Sequence, residues 1–371
     1  MQEKNNLIDA AYFKAVDVLK KCSTPNGFFA SGGKDGYNAV WARDSMITSL
    51  GASLVDDNLF KETFERSLIT LAQNQSKNGQ IPNCVDKWSK RKPHVDFKSI
   101  DSSLWYVIGH YVYYQRYKSK NLFNKYEQSL NKAFFWLRCQ DFGENGMLGQ
   151  LSTSDWQDAF PHKYGYTINT QALYYKLLTL VGKKNEAMKL KEKINYDKDD
   201  GLWEKDFYLA YRWKNHNKYK EIGEWFDTLG NLLAIVFDLS PVDRAEKIIN
   251  HIKSKKIDEP YPIKTIFPPI KKGDKEWQDY FADCEAGIPY NYANAGLWGY
   301  VGCFYVLALI KLKKFKDAEN ALKKLAEINI KGNFPEWTNP ETKETNGESQ
   351  AWEAGMYILA YESFKNKKIL I

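Results

Sequence analysis

The sequence predicts an all-α protein, an (α/α)6 barrel with six outer helices around six inner ones. Three observations predict it. Apolar residues recur at helical spacing along most of the 371-residue chain, two kinds of helix alternate, and few strong strand signals compete. From Leu59 to Ala72, Phe60, Phe64, Leu68 and Leu71 share one face, while Lys61, Glu62, Glu65 and Arg66 lie elsewhere. That is an amphipathic helix with one wet side. From Asp101 to Arg116, Leu104, Trp105, Tyr106, Val107, Ile108, Tyr111 and Val112 cover nearly every side, so protein must surround this helix.

The alternation continues. Amphipathic segments fall at 5–21, 58–73, 122–137, 184–194, 241–254 and 314–328, and all-round apolar ones at 44–55, 101–116, 165–181, 223–238, 292–311 and 347–364. Short connections such as Gly182-Lys183 and Leu312-Lys313 suit antiparallel neighbours. A solenoid of stacked helix pairs gives a similar pattern, but no fixed repeat length is present. No Pro/Gly/Ser-rich linker divides the chain, so residues 1–371 read as one domain.

Composition narrows the function. Hydrophobic residues make up 43% of the chain, with 12 Trp, 24 Tyr and 20 Phe. Such aromatics fill cores, and beside carboxylates they also stack on sugar rings. The net charge of +7 is spread over solvated helix faces such as Lys311, Lys313, Lys314 and Lys316 and the pair Lys271–Lys272, and the Lys90-Arg91-Lys92 run is too short to argue for nucleic acid. The apolar stretch Leu297–Ile310 is too short for a membrane span and reads as a buried helix. Cys22, Cys84, Cys139, Cys284 and Cys303 are scattered without metal spacing, which favours free thiols in a reducing compartment. The polar segment Met1–Asn6 argues against a secretory signal, so the expected location is the cytoplasm. Nothing implies a metal, a cofactor, nucleic acid or a membrane. The sequence leaves room for a homo-oligomer.

Unusual polar residues gather before or at the start of the apolar helices. Trp41-Ala42-Arg43-Asp44 precedes the first, Asp101-Ser102-Ser103 opens the second, and Asp155-Trp156-Gln157-Asp158 precedes the third. Glu224-Trp225-Phe226-Asp227 with Asn231 opens the fourth. Tyr292, Asn294 and Gly296 open the fifth, and Glu336-Trp337 with Gln350 and Trp352 precede and open the sixth. In a ring of parallel inner helices these clusters meet around one mouth. Any one of them is also explained by helix capping. Six together point to a site rich in carboxylates, amides and aromatics. Glycoside hydrolysis needs a pair of carboxyl groups flanking the scissile bond, whereas phosphate-cradling loops and metal motifs are missing. His162 near Asp158 reads as structural or exposed.

The segment Leu151-Ser-Thr-Ser-Asp-Trp-Gln-Asp158, followed by Gly165-Tyr166 and Gln171-Ala-Leu-Tyr-Tyr175, resembles the neutral/alkaline invertases of glycoside hydrolase family 100. Phe226-Asp-Thr-Leu-Gly-Asn-Leu232 is similar to their Leu-Gly-Asn segment, and Tyr292-Ala-Asn-Ala-Gly-Leu-Trp298 to Asn-Ala-Gly-x-Trp. Phe334-Pro-Glu-Trp337 with Gln350-Ala-Trp352 resembles their Pro-Glu-Tyr and Gln-x-Trp pair, and Arg43-Asp44 and Asp101-Ser-x-Leu-Trp105 match in order. The resemblance runs from Trp41 to Tyr361 and extends to family 63 and glucoamylase-like debranching enzymes, all (α/α)6 glycosidases.

By position, it implies that Asp158 is the general acid and Glu336 the general base of an inverting hydrolase. Asp155, three residues from Asp158, is the rival acid, or else it caps a turn or binds a hydroxyl. Two departures bear on the leaving-group side. Ala159 and Phe160 stand where the family has two arginines, and Trp337 stands for Tyr. Asp158 is expected to be kept protonated beside Trp156 and Phe160, and inversion expects carboxyl groups about 6.5–9.5 Å apart. Arg43, Asp44 and Asp101 are candidates for the sugar hydroxyls, with Asp155, Gln171, Asn231, Asn294 and Gln350 for further hydrogen bonds. Trp41, Trp156, Trp337 and Trp352 are candidates for apolar walls. The implied substrate is sucrose or a related small α-glucoside. A maltooligosaccharide, debranching-type or glucosylglycerate hydrolase is the near alternative. A non-catalytic sugar-binding barrel and a helical-repeat scaffold are the distant ones.

Overall fold

The computed structural model describes residues 2–33, 36–88, 94–196, 201–216 and 219–371. The Lys90-Arg91-Lys92 run lies outside the described residues. Among the described residues there are thirteen α-helices: α1 (Gln2–Cys22), α2 (Ala42–Ala52), α3 (Asn58–Gln73), α4 (Asp101–Tyr117), α5 (Asn121–Lys125), α6 (Glu127–Arg138), α7 (Ile168–Leu180), α8 (Lys184–Ile194), α9 (Thr228–Val236), α10 (Val242–Ser254), α11 (Gly299–Lys311), α12 (Phe315–Gly332) and α13 (Ala351–Lys365). No described helix is long and apolar enough to cross a membrane.

The two expected kinds of helix are both found. Every residue of α2 and α9 is buried, and all but the two ends of α11. In α3 the burial follows one stripe, Phe60, Phe64, Leu68 and Leu71 with Thr63, Ser67 and Thr70. The buried helices pack in a cycle: α2 on α4, α4 on α7, α7 on α9, α9 on α11, α11 on α13, and α13 back on α2. The amphipathic helices cover this cycle. α3 lies on α2 and α4, α6 on α4, α8 on α7, α10 on α9, α12 on α11, and α1 on α12 and α13.

The closing contact joins the first and last helices of the cycle. A Cβ on Gly51 of α2 would sit 1.7 Å from the Gly355 carbonyl oxygen of α13, and one on Gly355 would sit 2.4 Å from the Thr48 oxygen. The two backbones therefore approach more closely than any side chain allows.

Backbone pairing stitches the segments ahead of the buried helices into a second closed path. Trp41 pairs with Cys84 and Cys84 with Asp96. Ile100 N–H donates to Ser154, and Gln150 bridges to Gly165. Thr167 pairs with Tyr211, Leu209 with Phe226, and Asp227 with Ile266. Lys264 bridges to Leu297 and Leu297 to Thr338. Gln350 donates to Phe334 and bridges to Ser31, and Ala30 donates to Ala39, beside the start. Polar groups that precede different helices are thereby drawn to one end of the molecule.

Three helix starts differ most from the sequence reading. The fourth buried helix, expected at 223–238, begins at Thr228, because Tyr219–Asp227 is a strand paired with Phe207–His216. Glu224 and Trp225 thus lie on a β-hairpin that the sequence reading passed over. The fifth, expected from 292, begins at Gly299. Tyr292 (φ 45°) and Ala295 (φ 65°) hold left-handed conformations that a right-handed helix cannot contain. The sixth, expected from 347, begins at Ala351, after Ser349 (φ 51°). All five cysteines are unpaired, and Cys22, Cys84 and Cys303 are buried.

The glycine crossing makes a prediction. Gly355→Ala should destabilise the fold by about 3 kcal/mol, the upper end for overpacking, although alanine is the better helix former. Denaturant unfolding of the variant against wild type checks this, and an unchanged midpoint would contradict the crossing.

Candidate active site

The helix starts supply the side chains of one cavity. Tyr37, Trp41, Arg43, Asp44, Trp156, Asp158, Tyr292, Trp298, Glu336, Gln350 and Trp352 line it. It offers about 80 Å³ to the centres of water molecules and adjoins a wider groove of about 670 Å³ that shares Tyr37, Glu336 and Gln350. A roomier groove of about 1040 Å³ on the outer face of α6, around Phe135 and Cys139, shares none of these residues and brings no carboxyl pair together.

Arg43 and Asp44 stand in the first turn of α2, whose N-cap is Trp41. Asp101 is the first residue of α4. The Arg43 Nη1 reaches the Asp101 carboxyl at 3.4 Å, and Nε lies 3.7 Å from Asp44 Oδ2. The guanidinium also sits 5.8 Å from the Trp352 ring centroid. Asp101 is fully buried behind Arg43, accepts a hydrogen bond from Ser99, and does not itself line the cavity. Burial opposes charge on Arg43, but Asp101, Asp44 and Asp158 reverse this and raise its pKa. It is cationic at any working pH.

Asp158 projects from the loop before α7. Its side chain opens on the cavity, while Ser154, Asp155, Trp156, Gln157 and Phe160 around it are buried. The surrounding walls raise its pKa by desolvation. Arg43 opposes, and Asp101 and Asp155 raise it further. Glu336 is half-buried, in a segment clamped by its own N–H to Asn346 and by Trp337 pairing with Asn346. Its pKa is pushed up to about 7 by burial, then by Asp44, Asp158 and Glu285. Asp44 is raised to about 6, chiefly by burial. Gly347 permits the close wall beside Glu336, since at φ 66° a Cβ there would lie 3.0 Å from the Glu336 Cβ.

The aromatic walls interlock. Tyr300 stacks on Trp352 with centroids 4.2 Å apart, and Trp156 meets Trp298 and Tyr300 edge-on. The Trp298 Nε1 donates to the Tyr292 carbonyl, fixing the loop that carries Tyr292.

Of the residues expected from sequence, Asp158, Glu336, Trp41, Arg43, Asp44, Trp156, Gln350 and Trp352 meet at the cavity, with Asp101 behind them. Five others lie off the lining, each for a physical reason. Gln171 clamps the backbone of Leu148, Asn231 that of Tyr208, and Asn294 that of Ile270, each amide accepting that residue's N–H and donating to its carbonyl, and Asn231 donates to the Asp227 carbonyl as well. Asp155 is fully buried in an ion pair with Lys163 at 2.9 Å. Trp337 packs into the main core.

Tyr37 and Trp298 line the cavity and were missed, and so does Tyr292, which the sequence placed at the mouth with its cluster but gave no role. Tyr292 and Trp298 flank Asn294 in the same motif, so the segment was right, and Asn294 was the side chain wrongly chosen within it. Among the described residues no group of three or more His, Cys, Asp or Glu is placed to hold a metal ion.

Comparison with known proteins adds a relationship. The sequence profile described as "Alkaline and neutral invertase" matches residues 222–367. Alkaline/neutral invertase E, chloroplastic, of Arabidopsis thaliana is 28% identical over 142 residues, which is 36% of this chain and 22% of that protein. Neutral/alkaline invertase 1, mitochondrial, of Oryza sativa subsp. japonica is 27% identical over 139 residues, with the same shares. The match thus spans about a fifth of the length of these relatives. The profile match, residues 222–367, contains Glu336 and leaves out Asp158.

Among solved structures, the GH63 mannosylglycerate hydrolase from Thermus thermophilus superposes with a TM-score of 0.70 at 13% identity, covering 94% of this chain and 99% of that one. A rhamnosidase from Klebsiella oxytoca gives 0.66 at 14%, covering 97% and 64%. The expected kinship with the neutral and alkaline invertases is found in the sequence, and the fold is shared with these glycosidases.

The buried charge cluster generates a prediction. Arg43→Met leaves Asp101 buried without its cation, and breaking such a pair costs about 3–5 kcal/mol. Chemical denaturation at neutral pH should show a loss of that order. A loss under about 1 kcal/mol would mean that the pair does not hold α2 to α4.

Proposed function

We propose that the chain is an inverting glycoside hydrolase, a single (α/α)6-barrel catalytic domain that cleaves the α-glucosidic bond of sucrose or a related small α-glucoside. One observation carries this reading. Asp158 and Glu336, far apart in sequence, line one cavity whose other walls are indoles, phenols and the Arg43–Asp44 pair. The cyclic packing of the buried helices and the match to the invertase profile support it.

In this reading Asp158 protonates the departing glycosidic oxygen while Glu336 takes a proton from the water that attacks the anomeric carbon from the other face. Burial raises the pKa of both carboxyls, that of Glu336 to about 7, and Asp158 adds to the rise at Glu336. Close carboxyls of this kind titrate as a pair. The working form is the one with a single proton on the pair, held by Asp158, and Glu336 charged. Asp44 and Arg43 would hold sugar hydroxyls by charge-assisted hydrogen bonds, and Trp41, Trp156 and Trp352 would face the ring carbons.

Arg43 is engaged by Asp44 and Asp101, and the other charged lining groups are carboxyls. That balance favours an uncharged substrate over a carboxylated one such as a glucosylglycerate. Five unpaired cysteines fit a reducing, cytoplasmic setting.

Asp158→Asn and Glu336→Gln should each lose about 10²- to 10⁴-fold in kcat on the cleaved sugar with the thermal midpoint retained. Near-wild-type turnover by either folded variant contradicts the assignment. In a sugar panel, free fructose from sucrose with no hydrolysis of glucosylglycerate is expected, and the opposite preference removes the neutral-substrate reading.

The pH profile gives a further check. Activity should rise with pH as Glu336 loses its proton near 7. Replacing Asp44 by Asn removes the largest charge that raises Glu336, so the acid limb of kcat/KM should move to lower pH. An acid limb that stays in place or moves up counts against Glu336 as the base.

A further inference from the structure

We infer that Lys163 is a positioning residue for the general acid, an inference that rests on the reading of Asp158 as that acid. Lys163 is a lysine with no solvent exposure. Its Nζ donates to Gln157 Oε1 at 2.6 Å and Asp227 Oδ2 at 3.0 Å, and lies 2.9 Å from Asp155 Oδ2. An ammonium has three donors, and all three are committed in different directions.

The partners bracket Asp158. Asp155 and Gln157 come just before it, and Lys163 comes five residues after. Asp227 belongs to another part of the ring, as the N-cap of α9, where it accepts the Gly230 N–H. One nitrogen thus ties both ends of the acid-bearing loop to a neighbouring helix. Asp155 is fixed further by the Gln157 N–H and the Gln150 amide, and Gln150 in turn accepts the Thr167 and Thr170 hydroxyls at the start of α7.

A buried charge cluster of this kind contributes little stability that apolar packing would not supply equally well. What it supplies is a fixed geometry. Within the loop, Asp158 is open to the cavity while Ser154, Asp155, Trp156, Gln157 and Phe160 are buried. The knot therefore decides where the one projecting carboxyl points. Burial opposes charge on Lys163, but Asp155 and Asp227 raise its pKa, so the ammonium persists at working pH. Asp155 also raises the pKa of Asp158.

The test uses leaving groups that differ in their need for acid. Fluoride departs from α-glucosyl fluoride without protonation, whereas a sugar or alkyl oxygen must be protonated. Wild type, Asp158→Asn and Lys163→Met are assayed on both substrates, with kcat and KM separated. Lys163→Met should lose about 10²-fold in kcat on the oxygen glycoside, the scale of a misplacement near 1 Å. It should keep kcat on the fluoride within about fivefold of wild type, since the acid contribution is not used there. KM should hold on both, and Asp158→Asn should show the same split.

Equal losses on both substrates, or no loss, in Lys163→Met alone overturn the positioning role. Equal losses in Asp158→Asn as well overturn the acid assignment beneath it. If Lys163→Met does not fold, Asp155→Asn takes its place. It keeps the Lys163–Asp227 contact and should show a smaller split in the same direction, and no split there overturns the proposal.

Discussion

The cavity depends on how closely α2 and α13 can approach. These helices lie at opposite ends of the chain, and each brings part of the wall: Trp41, Arg43 and Asp44 at the start of one, Gln350 and Trp352 at the start of the other. Only glycine at positions 51 and 355 lets their backbones cross at this distance. The approach places the guanidinium of Arg43 over the Trp352 ring and draws Glu336, just upstream of α13, toward Asp44. Without that contact the cycle of buried helices has a gap between its first and last members.

A ring that gathers helix starts also gathers charge. Asp44, Asp101 and Asp158 crowd around a single guanidinium, and Glu336 lines the same cavity as Asp44 and Asp158. Burial pushes all four carboxyls upward in pKa, and each anion raises its neighbours further. Arg43 offsets part of this by pairing most closely with Asp101, which has no access to solvent. The remaining carboxyls keep raised pKa values, Asp44 about 6 and Glu336 about 7, with Asp158 shifted in the same direction. Beneath them the Asp155–Lys163–Asp227 knot holds charge that no substrate touches. The site therefore has two electrostatic layers, one facing the cavity and one fixing the loop behind it.

Much of the helical order was legible because burial leaves a periodic trace. A helix apolar on every side, such as α4, can only be an inner one, and a helix like α3 can only be an outer one. The hairpin of Phe207–His216 and Tyr219–Asp227 was not legible. Its register shifts twice, between Leu209 and Tyr211 and between Arg212 and Lys214, so the two-residue alternation that marks a strand is broken. In the site, an Arg-Asp pair opening an apolar helix was a sound clue, since a core has no use for unpaired charge. The amides Gln171, Asn231 and Asn294 misled because an amide that pairs with a remote backbone looks, in sequence, like one awaiting a hydroxyl. Trp337 and Trp298 show the same limit: a motif locates an indole, and only the fold decides which side of the wall it faces.

Kinship with the neutral and alkaline invertases is carried by residues 222–367, and the fold shared with glycosidases of known structure by the whole ring. Neither fixes the stereochemistry. The central claim is that Asp158 and Glu336 act on opposite faces of one sugar, and the sugar's first-released anomer reports it directly. Proton NMR recorded within the first turnovers of an α-glucoside, before mutarotation, should show β-glucose appearing first. If α-glucose appears first, the two carboxyls do not work across the ring with a water between them, and the account fails.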